Sequence, residues 1–300
     1  MRNHPQFTAY AALASVCFFW GTTYLGIRMA LETFPPALLV AVRFTLSGSI
    51  LLIGALFMGA HIPRGRELAR SAGNGILLVG LGTGGLVWAE TMIPSGLAAL
   101  IITISPFWMV GLDALMPPRT PLHGPTLAGM AIGLGGAALL VGPGAMAGGA
   151  AGQHLILGFC ILQVGCLSWS LGSMLQRRQE TKAHPIVSGG VQQLAAGLAF
   201  IPVALFLQGP VHWSTRGISA TLYLVTFGSI IGYSSYVFAL DRLPVAMVSL
   251  YNYLNPLVAV FLGWVFYRES FGLREAAAML IIFTGVAVVK HAEARRRKLA

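Results

Sequence analysis

The chain has 300 residues, of which 56% are hydrophobic and only 9% are charged, and its mean hydropathy is +0.76. An ordinary soluble domain carries about 25% charged residues, so water would not solvate a globule of this composition. A soluble globular protein is therefore excluded, and we expect lipid to cover much of the surface.

Apolar stretches of about 20 residues recur along the whole chain and are separated by short breaks rich in proline, glycine and charge. This pattern predicts an all-α integral membrane protein with ten transmembrane helices. The predicted spans are 8–30, 36–58, 73–93, 95–116, 124–142, 154–176, 186–207, 217–240, 244–266 and 273–290.

A glycine fingerprint of dinucleotide-binding proteins lies inside the third predicted span. The stretch "GLGTGG" matches G-x-G-x-x-G through Gly80, Gly82 and Gly85. That fingerprint binds a pyrophosphate only between a strand and a helix, with an acidic residue about 20 positions on, and neither condition is met here. Small residues at this spacing allow membrane helices to approach closely, so we expect these glycines to serve helix packing.

The basic residues indicate how the chain is oriented in the membrane. If the N-terminus is inside, 14 of the 19 lysines and arginines lie on the inner face, which places both termini in the cytoplasm. The net charge of +10 comes mostly from the inner loops and the tail "KHAEARRRKLA". We interpret the tail as a topology anchor beside anionic lipid and expect no nucleic-acid partner.

The sequence contains an internal repeat with an offset of 149 to 150 residues. Three proline pairs show it: Pro35 with Pro185, Pro94 with Pro244, and Pro106 with Pro256. Trp20 likewise recurs as Trp169. We predict two homologous halves, 1–145 and 146–300. Because each half has five spans, an odd number, the second half must be inverted relative to the first, as in many secondary transporters.

Catalytic chemistry finds little support in the sequence. The seven histidines lie in loops or at span ends, none pairs with a carboxylate at ligand spacing, and no P-loop is present. We predict no enzymatic activity, no cofactor and no metal. A membrane-embedded enzyme is kept as the alternative from another class.

Two prolines at the centres of spans four and nine indicate a binding site near the membrane midplane. Pro106 and Pro256 free the carbonyls of Ile102 and Asn252, and free carbonyls at this depth require protein or a wet cavity, although a packing kink is the alternative. Polar and aromatic side chains cluster in the same depth range. The candidate substrate-binding residues are Trp20, Tyr24, Ile102, Ser105, Pro106, Trp169, Ser170, Tyr233, Tyr251, Asn252, Asn255 and Pro256.

Three acidic or basic residues, Arg43, Glu90 and Asp113, lie inside predicted spans, three or more positions from either end, where charge is costly. Glu90 and Asp113 are candidates for proton coupling. We expect Arg43 to reach a span end or a loop partner in a structural role. The predicted cavity then contains no full charge.

Several stretches resemble EamA-type drug/metabolite transporters across nearly the whole chain. In the first half they are "FFWGTTYLGIRMAL", "FPPALLVAVRFTLSG", "SGLAALIITISPFWMVGLDAL" and "GPTLAGMAIGLGGAALLV", and in the second half "LSWSLGSMLQRR" and "YNYLNPLVAVFLGWVFYRESFGLREAAAMLIIFTGVAVV". The resemblance implies ten helices and export of small metabolites, often amino acids, by the bacterial inner membrane. One position departs from the repeat: Glu269 follows span nine, whereas Arg119 follows span four.

These observations predict a secondary transporter of the bacterial inner membrane that works by alternating access. A cavity of carbonyls, amides, hydroxyls and aromatic rings suits small neutral or zwitterionic solutes, amino acids and their analogues first. A carrier for drugs or for solutes like nucleotide sugars is the alternative. We expect a monomer or a weak homodimer.

Overall fold

The computed structural model describes residues 5–117, 122–179, 181, 183–243, 245–248 and 250–299, and all of their regular secondary structure is helical. Two π-helical segments, Ile76–Thr83 and Leu224–Ile231, join α3 to α4 and α10 to α11. The α-helices are α1 (Pro5–Ala30), α2 (Pro36–Phe57), α3 (Gly65–Gly75), α4 (Gly84–Ala89), α5 (Ser95–Ile102), α6 (Ser105–Leu115), α7 (Gly124–Met146), α8 (Gly149–Arg178), α9 (Pro185–Leu207), α10 (Thr215–Tyr223), α11 (Gly232–Arg242), α12 (Val245–Val248), α13 (Tyr251–Tyr267) and α14 (Leu273–Leu299).

Eight continuous helical stretches in the described part of the chain are long and apolar enough to cross a membrane, and they coincide with the first eight predicted spans. The ninth and tenth predicted spans fall on α13 and α14. Large apolar side chains cover the outside: Phe57, Phe206 and Leu273 are 89%, 86% and 91% exposed. Such a surface is stable in lipid and not in water. The count of ten crossings and the inversion of the halves stay predictions.

Two helix pairs, α2 with α9 and α7 with α14, are packed through glycines. A methyl group added to Gly48 of α2 would lie 2.7 Å from Cα of Leu194 in α9. In the other pair, a methyl group on Gly129 of α7 would lie 2.9 Å from the carbonyl oxygen of Gly285 in α14. Backbones therefore touch in both pairs, as small residues allow in membrane helices.

The glycines of the "GLGTGG" stretch pack against neighbouring helices, as the sequence predicted. A methyl group on Gly82 would lie 3.2 Å from the ring of Trp169, and one on Gly85 would lie 3.1 Å from Cα of Gly165. The helical setting supplies neither the strand nor the turn that the nucleotide fingerprint needs.

The fourth and ninth predicted spans differ at their prolines. α5 ends at Ile102 and α6 begins at Ser105, so the helix is interrupted just before Pro106. Pro256, in contrast, lies within the continuous helix α13. Because a proline cannot donate to the carbonyl four residues earlier, both positions leave a carbonyl without its helical partner.

Candidate functional site

A cavity of about 190 Å³ lies among the helices, and its wall is assembled from both halves of the chain. The first half contributes side chains from α1, α2, α4, α5, α6 and the π-helical segment 76–83, and the second half contributes from α8, α9, α11, α13 and the segment 224–231. The paired helices α7 and α14 supply none of the described lining residues. The wall is mostly apolar, with a few polar groups among the rings, as is typical of small-molecule sites.

The structure brings ten of the twelve candidate substrate-binding residues together around this cavity. They are Trp20, Tyr24, Ile102, Ser105, Trp169, Tyr233, Tyr251, Asn252, Asn255 and Pro256. The other two are not among its lining residues: Ser170 is fully buried and places its hydroxyl 3.4 Å from the carbonyl oxygen of Ser105, and Pro106 is the second residue of α6.

Residues related by the internal repeat line the same cavity. Trp20 and Trp169 both line it, and so do two further pairs, Ile102 with Asn252 and Ser105 with Asn255. Pro244, a member of another repeat pair, lies outside the described residues.

Three aromatic rings form a cluster, and two of them, those of Trp20 and Tyr251, line the cavity. The ring of Trp20 lies 5.1 Å from that of Tyr236 and 5.1 Å from that of Tyr251, the latter edge to face. The two tyrosine rings are 5.8 Å apart and also meet edge to face. Such a cluster accepts apolar surface and attracts cations to the ring faces. The indole Nε1 of Trp20 donates to the carbonyl of Gly228 at 3.1 Å, which fixes this ring.

Some of the predicted polar groups already have protein partners. With its amide nitrogen facing the carbonyls of Cys17 and Tyr251, Asn255 donates to them at 2.9 Å and 3.1 Å. The hydroxyl of Ser105 donates to the carbonyl of Ile102 at 2.6 Å. A carbonyl oxygen has two lone pairs, so that of Ile102 retains one for a further donor. The side chain of Asn252 also lines the cavity.

The expectation of a cavity without a full charge is wrong, because Arg43 lines it. The side chain is 5% exposed and does not reach a span end. Its Nε donates to the hydroxyl of Ser229 at 2.9 Å, and its Nη1 has no hydrogen-bond partner among the described residues. The sequence showed the charge within span two but not the direction of the side chain. That direction depends on how α2 packs against the π-helical segment Leu224–Ile231.

A buried chain of hydrogen bonds leads to Ser229, the residue that accepts the hydrogen bond of Arg43. Ser47 donates to Oε1 of Gln193 at 2.5 Å, and Nε2 of Gln193 donates to the carbonyl of Ser229 at 3.3 Å. Sequence reasoning missed Gln193, although a glutamine pair in the middle of an apolar span is a signal of function at this depth.

The two candidate proton-coupling residues have different surroundings, and neither lines the cavity. Glu90 follows α4, is fully buried, and neither of its carboxyl oxygens has a hydrogen-bond partner in the described structure. Arg28 donates to the backbone carbonyl of Glu90 at 2.6 Å rather than to its carboxyl group. Asp113 is partly exposed near the end of α6.

Glu269, in the turn after span nine, connects the two halves. Its carboxylate accepts hydrogen bonds from the backbone N–H and the hydroxyl of Ser95, at 2.8 Å and 2.9 Å, and from the N–H of Gly96 at 2.9 Å. It therefore caps the N-terminus of α5, where the helix dipole favours an anion. Arg119, at the repeat-related position, lies outside the described residues.

Comparison with known proteins identifies the family. The EamA-like transporter family matches residues 7–142 and again residues 156–290. The "Uncharacterized inner membrane transporter YedA" of Escherichia coli (strain K12) is 32% identical over 96% of this chain and 92% of that protein. The "Probable amino-acid metabolite efflux pump" of Salmonella typhimurium is 26% identical over 89% and 90% of the two chains.

A solved crystal structure has the same fold, with a TM-score of 0.67 at 22% identity over 96% of this chain and 98% of that one. Relatives in the inner membrane and the apolar helices together support a multi-pass protein of that membrane. The expected resemblance is thus confirmed: the chain belongs to the EamA-like transporter family.

Proposed function

We propose that this transporter exports small neutral or zwitterionic metabolites, amino acids and their analogues first, across the bacterial inner membrane by alternating access. The observation that carries the proposal is the cavity between the two halves, which combines aromatic rings, neutral polar groups and one guanidinium. The named efflux function of the Salmonella relative supports an amino-acid-like solute. The family favours a carrier over an enzyme.

The architecture we propose is ten spans in two inverted halves, 1–145 and 146–300, with both termini in the cytoplasm. The double match to one family supports two homologous halves. The meeting of repeat-related residues such as Trp20 and Trp169 at one cavity supports a twofold relation between the halves, because such an axis brings equivalent positions together.

The size and the charge of the cavity favour a small solute. An amino acid presents one carboxylate, one ammonium group and a side chain, which the guanidinium, the carbonyls and the rings can each accommodate. A nucleotide sugar carries two phosphate charges, and Arg43 is the one Lys or Arg among the described lining residues. A desolvated diphosphate would therefore lack a cationic partner for its second charge.

Counterflow in proteoliposomes tests this function. We expect liposomes loaded with unlabelled L-phenylalanine or L-leucine to accumulate the labelled amino acid transiently, and loading with UDP-glucose to give no accumulation. Asn252→Leu is expected to reduce the initial rate at least about tenfold, since it removes an amide from the cavity wall. Leu254→Ala, an exposed position two residues along the same helix, is the control. Exchange of sugar nucleotides without amino acids would refute the proposal.

Cysteine labelling tests the proposed topology in a background that lacks the three native cysteines. We expect Arg66→Cys and Arg178→Cys to react with a membrane-impermeant maleimide only from the cytoplasmic side, and Gly148→Cys only from outside. All three positions are exposed. Labelling of Arg66 and Arg178 from opposite sides would contradict inverted halves, because four spans separate these two positions and an even number of crossings places both on one face.

We propose Glu90 as the proton-coupling group, because a buried carboxyl without hydrogen bonds is stable only while it carries a proton or meets a cation. In Glu90→Gln, amino-acid-driven proton movement across the liposome membrane is expected to fall to background while exchange of one amino acid for another persists. Asp113→Asn is the matched control. Undiminished proton movement in Glu90→Gln would remove this residue from the mechanism.

A further inference from the structure

We infer that Arg43 anchors the carboxylate of the transported solute and so makes a free carboxylate a requirement for tight binding. The inference rests on the amino-acid-like substrate proposed above and names the group that recognises its acid end. It also gives Arg43 a role in binding, whereas the sequence alone predicted a structural role for this residue.

The guanidinium is held by a hydrogen bond through Nε and by a cation–π contact at 4.9 Å with the Phe44 ring, but it lacks a hydrogen-bond partner at Nη1. Nε donates to the hydroxyl of Ser229, whereas Nη1 is buried without a hydrogen-bond partner in the described structure. The side chain is more than nine-tenths buried and belongs to the cavity wall. With Nε bound to Ser229, the terminal nitrogens remain as the donors for a solute, and the planar guanidinium fork matches the two oxygens of a carboxylate.

No carboxylate of the described residues forms a hydrogen bond or an ion pair with Arg43. Glu90 is the acidic group that acts on it electrostatically, and both Glu90 oxygens lack hydrogen bonds. A buried cation is costly unless it is paired and hydrogen-bonded. The cavity therefore contains an incompletely paired charge, and a solute carboxylate would complete it.

Neighbouring groups orient the rest of the solute. The indole of Trp20 and the guanidinium of Arg43 bond to consecutive residues, Gly228 and Ser229, so the two side chains approach the cavity at adjacent points. Gly228 leaves room for the arginine, because a methyl group there would lie 3.0 Å from Nη2. A solute whose carboxylate binds Arg43 would thus place its apolar part against the Trp20 and Tyr251 rings.

Discrimination between an acid and its amide tests this inference in counterflow. The probes are L-phenylalanine and L-phenylalaninamide, which differ in the carboxylate alone. We expect the wild-type protein to prefer the acid about tenfold or more, as loss of a charge-assisted hydrogen-bonded pair predicts. In Arg43→Gln the two probes should become equivalent within about twofold, and Arg43→Lys should retain part of the preference. Arg70→Gln, an exposed arginine of α3, is the matched control and should behave like the wild type.

Ser229→Ala provides a second variant that keeps the charge. It removes the hydroxyl that orients the guanidinium, so we expect the KM for L-phenylalanine to rise several-fold with that for the amide unchanged. The elution profile in detergent shows whether each variant is folded. Two results would overturn the inference: equal transport of the acid and the amide by the wild type, or an unchanged preference for the acid in both Arg43→Gln and Ser229→Ala. Neither result would contradict the proposed export of amino acids. Counterflow of neither probe nor any other amino acid would instead contradict the proposed function.

Discussion

Replacement of Gly48 by leucine is expected to abolish the folded protein. A methyl group at this position would lie 2.7 Å from Cα of Leu194 and 2.8 Å from the carbonyl oxygen of Gly190, both in α9. Backbone atoms cannot turn aside as a side chain can, so α2 and α9 would have to separate along their contact. Extra methylenes in a packed interior cost about 1–3 kcal/mol even where side chains can adjust. Here a whole leucine side chain must be accommodated against backbone.

Gly54→Leu is the matched control, because this glycine belongs to the same helix and has nothing within 4 Å of the added methyl group. Size-exclusion chromatography in detergent measures the effect. We expect Gly54→Leu to elute as the wild type does and Gly48→Leu to be recovered only as aggregate. A monodisperse Gly48→Leu protein with an unchanged melting temperature would show that the α2–α9 contact is not as close as described.

Glu269→Ala is expected to lower the free energy of unfolding by about 1–3 kcal/mol and to weaken the contact between the halves. Three donors at the start of α5, two of them backbone N–H groups, lose their acceptor at once. Carboxylate acceptors form stronger hydrogen bonds than neutral ones, and this carboxylate also lies at the positive end of a helix dipole.

Glu269→Gln separates the charge from the hydrogen bonds, because it keeps one acceptor oxygen and a similar shape. We expect the melting temperature in detergent to fall least in Ser95→Ala, more in Glu269→Gln and most in Glu269→Ala. If Glu269→Ala melted at the wild-type temperature, the cap would contribute nothing to the association of the halves.

The parts of the fold that depend on composition along the chain were predictable. Hydropathy alone located the first eight spans, because a membrane helix must be apolar over about 20 residues whatever its neighbours are. Ten of the cavity residues were predictable for a related reason: polar and aromatic groups at midplane depth, such as Asn252 and Trp169, have no stable place except a cavity or an interface.

Features that depend on contacts between helices were not predictable. The direction of Arg43 follows from its bond to Ser229, which is 186 residues away in the chain. The role of Glu269 depends on an unsatisfied helix end in the other half of the protein. The π-helical segments leave no signature in hydropathy, since the same apolar residues could equally form an α-helix.

Both π-helical segments contribute residues to the cavity wall. Gly82 and Thr83 lie on one segment, and Gly228 and Ser229 lie on the other. A π-helical turn contains one residue more than an α-helical turn. If the π-helical turn moved along the helix by one position, each side chain that it passed would turn by about 100° around the helix axis, while the two ends of the span would stay in place. Such a turn in the second segment would withdraw the Ser229 hydroxyl from Arg43 and would break the Trp20 contact to the neighbouring carbonyl. One local rearrangement would therefore release both ends of a bound solute together, without any movement of the glycine-packed pairs.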